Sequence, residues 1–443
     1  MNRVQSLRGL LPPTQVVYYR KPIHIERGSM QWLYDTDGRK YLDMFGGIVT
    51  VSVGHCHPTV NAALEEQSKK LWHTTSIYLT TPMLEYAEAL TAKLPDPLKV
   101  VFFVNSGSEA NDLAIKLARL HTGRFDMLSL RNGYHGMTQS VIGATNIASW
   151  KHPLPSGFGI LKAMLPDPLN GPWGGRNCRD CEIPAKRECD CGNGPCKAGN
   201  KYLKEFSDCL GADFPAATGP AAFLAESIQG IGGTVQYPKN FLPQAFDAVK
   251  ARGGLCIADE VQTGFGRLGT HFWGFEANGV LPDMITMAKG IGNGFPIGAV
   301  VTTVEIAKAL GQGLYFNTYG GNPLAAAVGK AVLKVIEEEK LQENAHIVGE
   351  YFLKQLAAID SPLIADVRGK GLMIGVEMVD ESGAPMPSTR MCDIFEYTKD
   401  KGVLVGKGGP KGNVFRIKPP MCITKADVDQ CVSVIAEAIK ACK

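Results

Sequence analysis

Val100-Val-Phe-Phe-Val-Asn105-Ser-Gly-Ser-Glu-Ala-Asn111 changes character in the middle. Its first half is continuously apolar and rich in β-branched and aromatic residues, the pattern of a strand buried on both faces. From Glu109 to Leu120 the apolar spacing becomes helical. The same alternation recurs downstream. Strand candidates lie at Met127–Leu130, Ala221–Ala225, Leu255–Ala258, Met284–Met287 and Ala299–Thr302, with helical patterns such as Leu242–Ala251 between them. Strands apolar on both faces and separated by helices predict an α/β fold with a mostly parallel sheet covered on two sides.

Upstream, Gln31 to Asp43 alternates around an Asp-Gly turn and reads as a hairpin in a peripheral segment, residues 1–70. A large domain then spans 71–330. Its Pro-, Gly- and Cys-rich stretch 166–200 breaks the α/β rhythm as an insertion. After the long helical run Leu324–Glu339, strands near Leu363–Val367 and Met373–Met378 and a last helix at Lys425–Ala441 predict a smaller α+β domain over 331–443.

The totals narrow the function. The chain has 443 residues, 45% hydrophobic and 20% charged, with a net charge of +3. No basic stripe interleaved with aromatics suggests nucleic acid, and no apolar run reaches membrane-spanning length. No acidic residue precedes Glu26, whereas Arg3, Arg8, Arg20 and Lys21 do. Such a start suggests a mitochondrial (matrix) protein, with a cytoplasmic one as the alternative.

Chemistry concentrates where strands end. In an open parallel sheet the ligand crevice lies at the carboxyl ends of the strands. Lys289 follows Met284–Met287 and enters a glycine-rich turn, which suits a lysine that forms a Schiff base with a carbonyl cofactor. Asp259 closes another strand, and a buried carboxylate there needs a positive partner, either a protonated pyridine nitrogen or an arginine such as Arg267. Gly107 and Ser108 begin a helix and present free N–H groups to a phosphate; Ser108 acting only as a helix cap is the plainer alternative. Tyr134 could stack on a flat ring or merely cover the sheet end. Thr318 could donate to phosphate from a turn-rich segment.

Together Asn105-Ser-Gly-Ser-Glu-Ala-Asn111, Gly133-Tyr-His-Gly136, Ala258-Asp-Glu-Val-Gln-Thr-Gly-Phe-Gly-Arg267, Met287-Ala-Lys-Gly290, Thr318-Tyr-Gly-Gly-Asn-Pro323 and Phe415-Arg-Ile-Lys-Pro-Pro420 resemble the class III pyridoxal-phosphate aminotransferases, in order from about Gly28 to the C-terminus. The resemblance implies a fold-type I transferase using pyridoxal 5'-phosphate. Lys289 would carry the cofactor and move the substrate proton, and Asp259 would keep the pyridine nitrogen protonated. Gln262 would contact the ring hydroxyl and Tyr134 would stack on the ring. Gly107, Ser108 and the partner subunit's Thr318 would hold the phosphate, which makes a homodimer with shared sites, or a tetramer of such dimers, part of the expectation. Arg416 would grip the substrate carboxylate, with Ile48 and Val49 lining the pocket.

Within the family, Gly54-His-Cys-His-Pro58, Gly171-Pro-Trp-Gly-Gly175 and the cysteine-rich insertion resemble members that move an amino group from L-alanine or a small beta-amino acid (3-amino-2-methylpropanoate) to glyoxylate or pyruvate. Departures sharpen this. Ornithine- and GABA-type members carry a glutamate that can pair with the carboxylate-binding arginine, where this chain has Ile231 after Glu226-Ser-Ile-Gln-Gly230. Met137 stands where GABA-type members place a second arginine, and Ile48 where ornithine-type members place a tyrosine. One open carboxylate clamp and small substrates follow. Another reaction on the same cofactor (aminomutase, racemase or decarboxylase) and a non-catalytic interaction protein are the rival readings.

Six of the 12 cysteines, Cys178, Cys181, Cys189, Cys191, Cys196 and Cys209, lie in or beside the insertion. Zinc, a disulfide and reduced thiols are all open, with thiols ahead because Cys-x-Cys is not finger spacing. No metal is assigned to the reaction.

Overall fold

The computed structural model describes residues 7–15, 17–155, 157–189, 191 and 196–442. The expected hairpin is present. Strands β1 (Ile25–Ser29), β2 (Trp32–Asp35) and β3 (Lys40–Asp43) run antiparallel. The turn between β2 and β3 is tied by Asp35 Oδ1, which accepts from the N–H groups of Asp37 and Arg39 at 3.0 and 2.9 Å.

The central sheet contains β4 (Val100–Val104), β5 (Met127–Leu130), β6 (Ile160–Ala163), β7 (Ala222–Glu226), β8 (Leu255–Asp259), β9 (Met284–Met287) and β10 (Gly298–Thr302). Their spatial order is β4-β10-β9-β8-β7-β5-β6. Strands β5 to β9 are mutually parallel, as the apolar runs predict. Two features lay beyond the periodicity. Edge strand β6 is only four residues long and half-buried in its middle, so it carries little apolar signal. Strand β10 runs antiparallel to both of its neighbours. Its reversal follows from chain length: the Ala288–Ile297 link is too short for the dozen-residue crossover that a parallel return requires.

Helix Gly107–Thr122 packs along β9 and β10 with Ala110, Leu113, Ala114, Leu117 and Ala118 buried. Helix Pro323–Glu338 starts with Pro at its first position and with Asn322 Oδ1 accepting from Ala325 N–H at 2.9 Å, so both its φ and a free donor are satisfied. The next helix, Leu341–Ala357, packs on a second, antiparallel sheet of β11 (Ile364–Lys370), β12 (Met373–Met378), β14 (Gly406–Gly408) and β15 (Val414–Ile417). Strand β13 (Val403–Leu404) pairs in parallel with β3, which ties the N-terminal segment to the C-terminal part of the chain. Among the described residues no helix is long and apolar enough to cross a membrane.

The insertion is held to the second sheet by charge. Arg179 donates from Nη1 and Nη2 to Asp366 at 2.7 and 2.8 Å, with both side chains about 1% exposed. Arg368 shares Asp366 at 3.0 Å, so the carboxyl is held below its usual range against the opposing effect of burial. Removing one partner of a buried pair strands the other charge. Arg179→Ala is expected to destabilise the protein by about 3 kcal/mol, the low end for a broken buried pair because Arg368 remains; the shift of the urea midpoint measures it.

Candidate active site

Strands β7, β8 and β9 end side by side, with Glu226 in register with Asp259 and Asp259 with Thr286. Asp259 is buried, and its carboxylate is fixed from three directions. Asn111 Nδ2 and His135 Nδ1 lie 2.9 and 2.7 Å from Oδ2, while the Val261 N–H donates to Oδ1 at 3.1 Å. Asn111 is itself held, donating to His135 O at 2.7 Å and accepting from Thr286 Oγ1 at 2.7 Å. Burial alone would lower the imidazole pKa, but the hydrogen bond and charge of Asp259, with Glu226 beyond, raise it above its ordinary value. Arg267 does not pair with Asp259: its guanidinium donates to Leu372 O and Pro419 O at 3.1 and 2.8 Å. Among the described residues the carboxylate thus meets the His135 imidazole and no guanidinium or ammonium within ion-pair distance.

Glu226 has no role in the sequence beyond its place in a motif. In the fold its carboxylate accepts from the Tyr134 N–H at 3.1 Å and the Gly230 N–H at 2.7 Å. Burial raises its pKa; His135 pulls it back, and Asp259 adds to the rise.

Lys289 lies directly beyond β9. Ala288 is extended and Lys289 adopts φ 50°, a left-handed conformation uncommon outside glycine and asparagine. That turn sends the chain back towards β10 while the side chain stays over the strand ends. Burial lowers the amine pKa; Asp259 opposes the shift and Arg416 reinforces it. The amine thus loses its proton more readily than a surface lysine does.

At the start of helix Gly107–Thr122, Ser106 is the cap, its Oγ accepting from Glu109 N–H at 3.2 Å. Ser108 is therefore not the cap; its Oγ accepts from Met137 N–H at 3.2 Å. Gly136 presses on this corner, where a Cβ would stand 2.5 Å from Ser108 Oγ at φ +135°, so only glycine fits. Ser106, Gly107, Ser108, Asn111, Tyr134, Glu226, Asp259, Val261, Gln262 and Lys289 line one cavity. Tyr134 is half-buried and meets Trp150 edge-on at 5.3 Å. Thr318 lies elsewhere, exposed in a segment whose Leu314, Phe316 and Tyr319 are exposed too.

The second sheet supplies the other wall. Arg416 on β15 is buried and donates to Gln262 Oε1 at 3.2 Å. Its Nε has no hydrogen-bond partner among the described residues, and burial lowers its pKa to about 10. Gly408 makes room for it, since a Cβ there would stand 2.3 Å from Arg416 Cδ. The aromatic ring of Phe45 lies 5.3 Å from the guanidinium. Just after it, Ile48 and Val49 adopt φ 62° and 67°, rare for β-branched residues, with Ile48 43% exposed and Val49 buried. Lys418, two residues after Arg416, carries no distinguishing signal in the sequence. It is fully buried, and its ammonium lies 3.1 Å from the same Gln262 Oε1.

A class-III aminotransferase family model matches residues 15–439. The chain belongs to that family and is an aminotransferase. It is 52% identical to the mitochondrial alanine–glyoxylate aminotransferase 2 of Homo sapiens, over 99% of this chain and 86% of that protein. Among solved structures, a phospholyase from Arthrobacter in complex with phosphoethanolamine superposes with TM-score 0.89 at 32% identity, covering 99% of both chains. An amine transaminase from an uncultivated Pseudomonas species in its PLP-bound form gives TM-score 0.87 at 30% identity, covering 98% of both.

Lys418 permits a direct test. Burial, then repulsion from Arg416, lowers its pKa well below the usual 10.5. Between the lowered value and 10.5 the unfolded chain binds more protons than the folded one, so folding becomes more favourable as pH rises through that window. The cofactor-free protein is expected to gain denaturant stability as pH climbs toward 10.5, and Lys418→Met to flatten part of that gain; equal slopes in the two proteins count against it.

Proposed function

We propose that the protein transfers an amino group from L-alanine or a small beta-amino acid, 3-amino-2-methylpropanoate among them, to glyoxylate or pyruvate, using pyridoxal 5'-phosphate. The observation that carries the substrate reading is Arg416: a buried guanidinium that meets no carboxylate among the described residues, with Nε unsatisfied. A buried arginine in that state calls for an anionic ligand, and its planar fork matches a carboxylate. The position where other members place a competing glutamate is held by Ile231, whose carbonyl accepts from Gly409 N–H at 2.9 Å.

The residues suit the cofactor. A carboxylate oriented by three donors, a helix start with free N–H groups and a deprotonation-prone lysine border a single cavity. When bound, pyridoxal phosphate supplies an electron sink for the bond broken at the substrate carbon. Asp259 would hold a proton on its ring nitrogen, Gln262 would meet its ring hydroxyl, Tyr134 would cover its ring, and Gly107 and Ser108 would bind its phosphate. Lys289 would anchor it and then act as the base that takes the donor's Cα proton and redelivers it. Arg416 orients the donor carboxylate, while Ile48 and Val49 limit its size. The left-handed backbone at Ile48 and Val49 fixes where those side chains stand.

Exposed Leu314, Phe316 and Tyr319 around Thr318 support a homodimer in which Thr318 completes the partner's phosphate site. A solution mass of one chain removes that part of the reading. Mitochondrial residence rests on the naming of the relative and on the basic start of the chain, of which Arg3 lies outside the described residues.

A panel of amino donors and 2-oxo acids on the purified protein tests the proposal. Turnover is expected only with both partners present, and product formation without any acceptor would make this an elimination or decarboxylation enzyme. Lys289→Ala is expected to lose the visible absorbance of the bound cofactor and at least about 10²-fold in kcat. Arg416→Lys keeps the charge but loses the fork, and kcat/KM for carboxylate donors is expected to fall about 10- to 100-fold, while an amine lacking a carboxylate loses far less.

A further inference from the structure

The cysteine-rich insertion brings soft ligands together from separate stretches of chain. Sγ of Cys178 lies 3.7 Å from that of Cys189 and 3.8 Å from that of Cys191. The sulfurs of Cys178, Cys191 and Cys196 all lie within 4.8 Å of one another. These separations far exceed the S–S bond length of about 2.05 Å. The 3.7 and 3.8 Å separations match the edge of a tetrahedron of sulfurs around zinc, about 3.8 Å for a Zn–S length of about 2.3 Å. We propose that the trio Cys178, Cys191 and Cys196, with Cys189 beside Cys178 as the fourth ligand, forms a structural tetrathiolate zinc site.

Its surroundings fit that role. Cys178 and Cys191 are buried, and Cys189 and Cys196 are half-buried, so the metal would be enclosed with no open position for substrate. Cys191 Sγ accepts from the Lys197 N–H at 3.1 Å, a contact that orients a thiolate ligand. Cys196 stands at the N-cap of helix Lys197–Ala212, where the helix dipole favours negative sulfur. Neither Cys189 nor Cys181 belongs to the mutual trio; Cys189 reaches it through Cys178 at 3.7 Å, and Cys209 donates to Asp213 Oδ2 at 3.2 Å. Cys-x-Cys spacing argues against a finger in the sequence. The fold answers it by drawing Cys178 and Cys196 to the pair from either side.

The position of the knot explains what it would stabilise. Cys178 O accepts from Lys239 N–H at 2.7 Å, and the next residue, Arg179, makes the buried pair with Asp366. One ligand thus connects the insertion to the segment leading into helix Phe241–Ala251 and, through its neighbour, to the second sheet. An insertion with so little regular structure buries few apolar residues of its own, which is where a metal contributes most to folding.

Metal analysis of the full-length protein is expected to find about one zinc per chain. Cys178→Ser and Cys196→Ser are expected to lose most of it, whereas Cys181→Ser and Cys209→Ser retain both zinc and aminotransferase activity. Because a ligand variant can fail to fold, the wild-type protein produced with cobalt gives a second reading: intense sulfur-to-cobalt charge transfer and visible bands of a tetrahedral tetrathiolate. Trace zinc together with absent cobalt bands overturns the site. So does zinc retained in well-folded Cys178→Ser, or a non-reducing thiol titration short by two in metal-free protein, which would make the cluster a disulfide.

Discussion

The Asp259 carboxylate at the end of β8 is the constraint around which the rest is arranged. A buried negative charge is costly unless hydrogen-bonded and paired. Here Asn111, His135 and the Val261 N–H satisfy its oxygens, but the charge is shared with an imidazole rather than neutralised by an arginine. The obvious candidate, Arg267, is spent on the backbone of the second sheet and its connecting segment. What remains is an oriented anion at a crevice, suited to a cationic ring nitrogen.

The opposite wall inverts the charge. Arg416 and Lys418 stand there, with Lys289 beyond β9 on the first wall; burial lowers the pKa of each, with repulsion from Arg416 adding to the shift at both lysines. Three confined basic groups make the crevice attractive to carboxylates and phosphate. Lys418 and Arg416 also donate to the same amide oxygen of Gln262, so the residue expected to meet the cofactor is braced by the residue expected to hold the substrate. The two walls come from different sheets, which is why the Arg179–Asp366 pair and the proposed zinc knot bear on the site from a distance.

Much of this was legible in the chain. Lys289, Asp259, Gly107 and Ser108 stood at strand ends or helix starts, and strand termini in a parallel sheet share an edge. His135 and Asn111 sat inside motifs without a role, because a hydrogen bond across two connections leaves no periodic trace. Glu226 had a signal that went unused: it ends a fully buried strand as Asp259 does. Lys418 had none, since a lysine between isoleucine and proline reads like any surface charge.

Periodicity determined the α/β class, the ordered motifs carried the family resemblance, and both pointed to Lys289, because each depends on local residue order. Tertiary structure decided the rest. It reversed β10 through a link too short to cross over, gave the cap to Ser106 instead of Ser108, and turned Arg267 away from Asp259. It also left Arg416 without a carboxylate partner among the described residues and gathered the sulfurs of Cys178, Cys191 and Cys196. Those outcomes depend on which distant groups compete for the same buried charge or the same space, and competition of that kind exists only once the chain is folded.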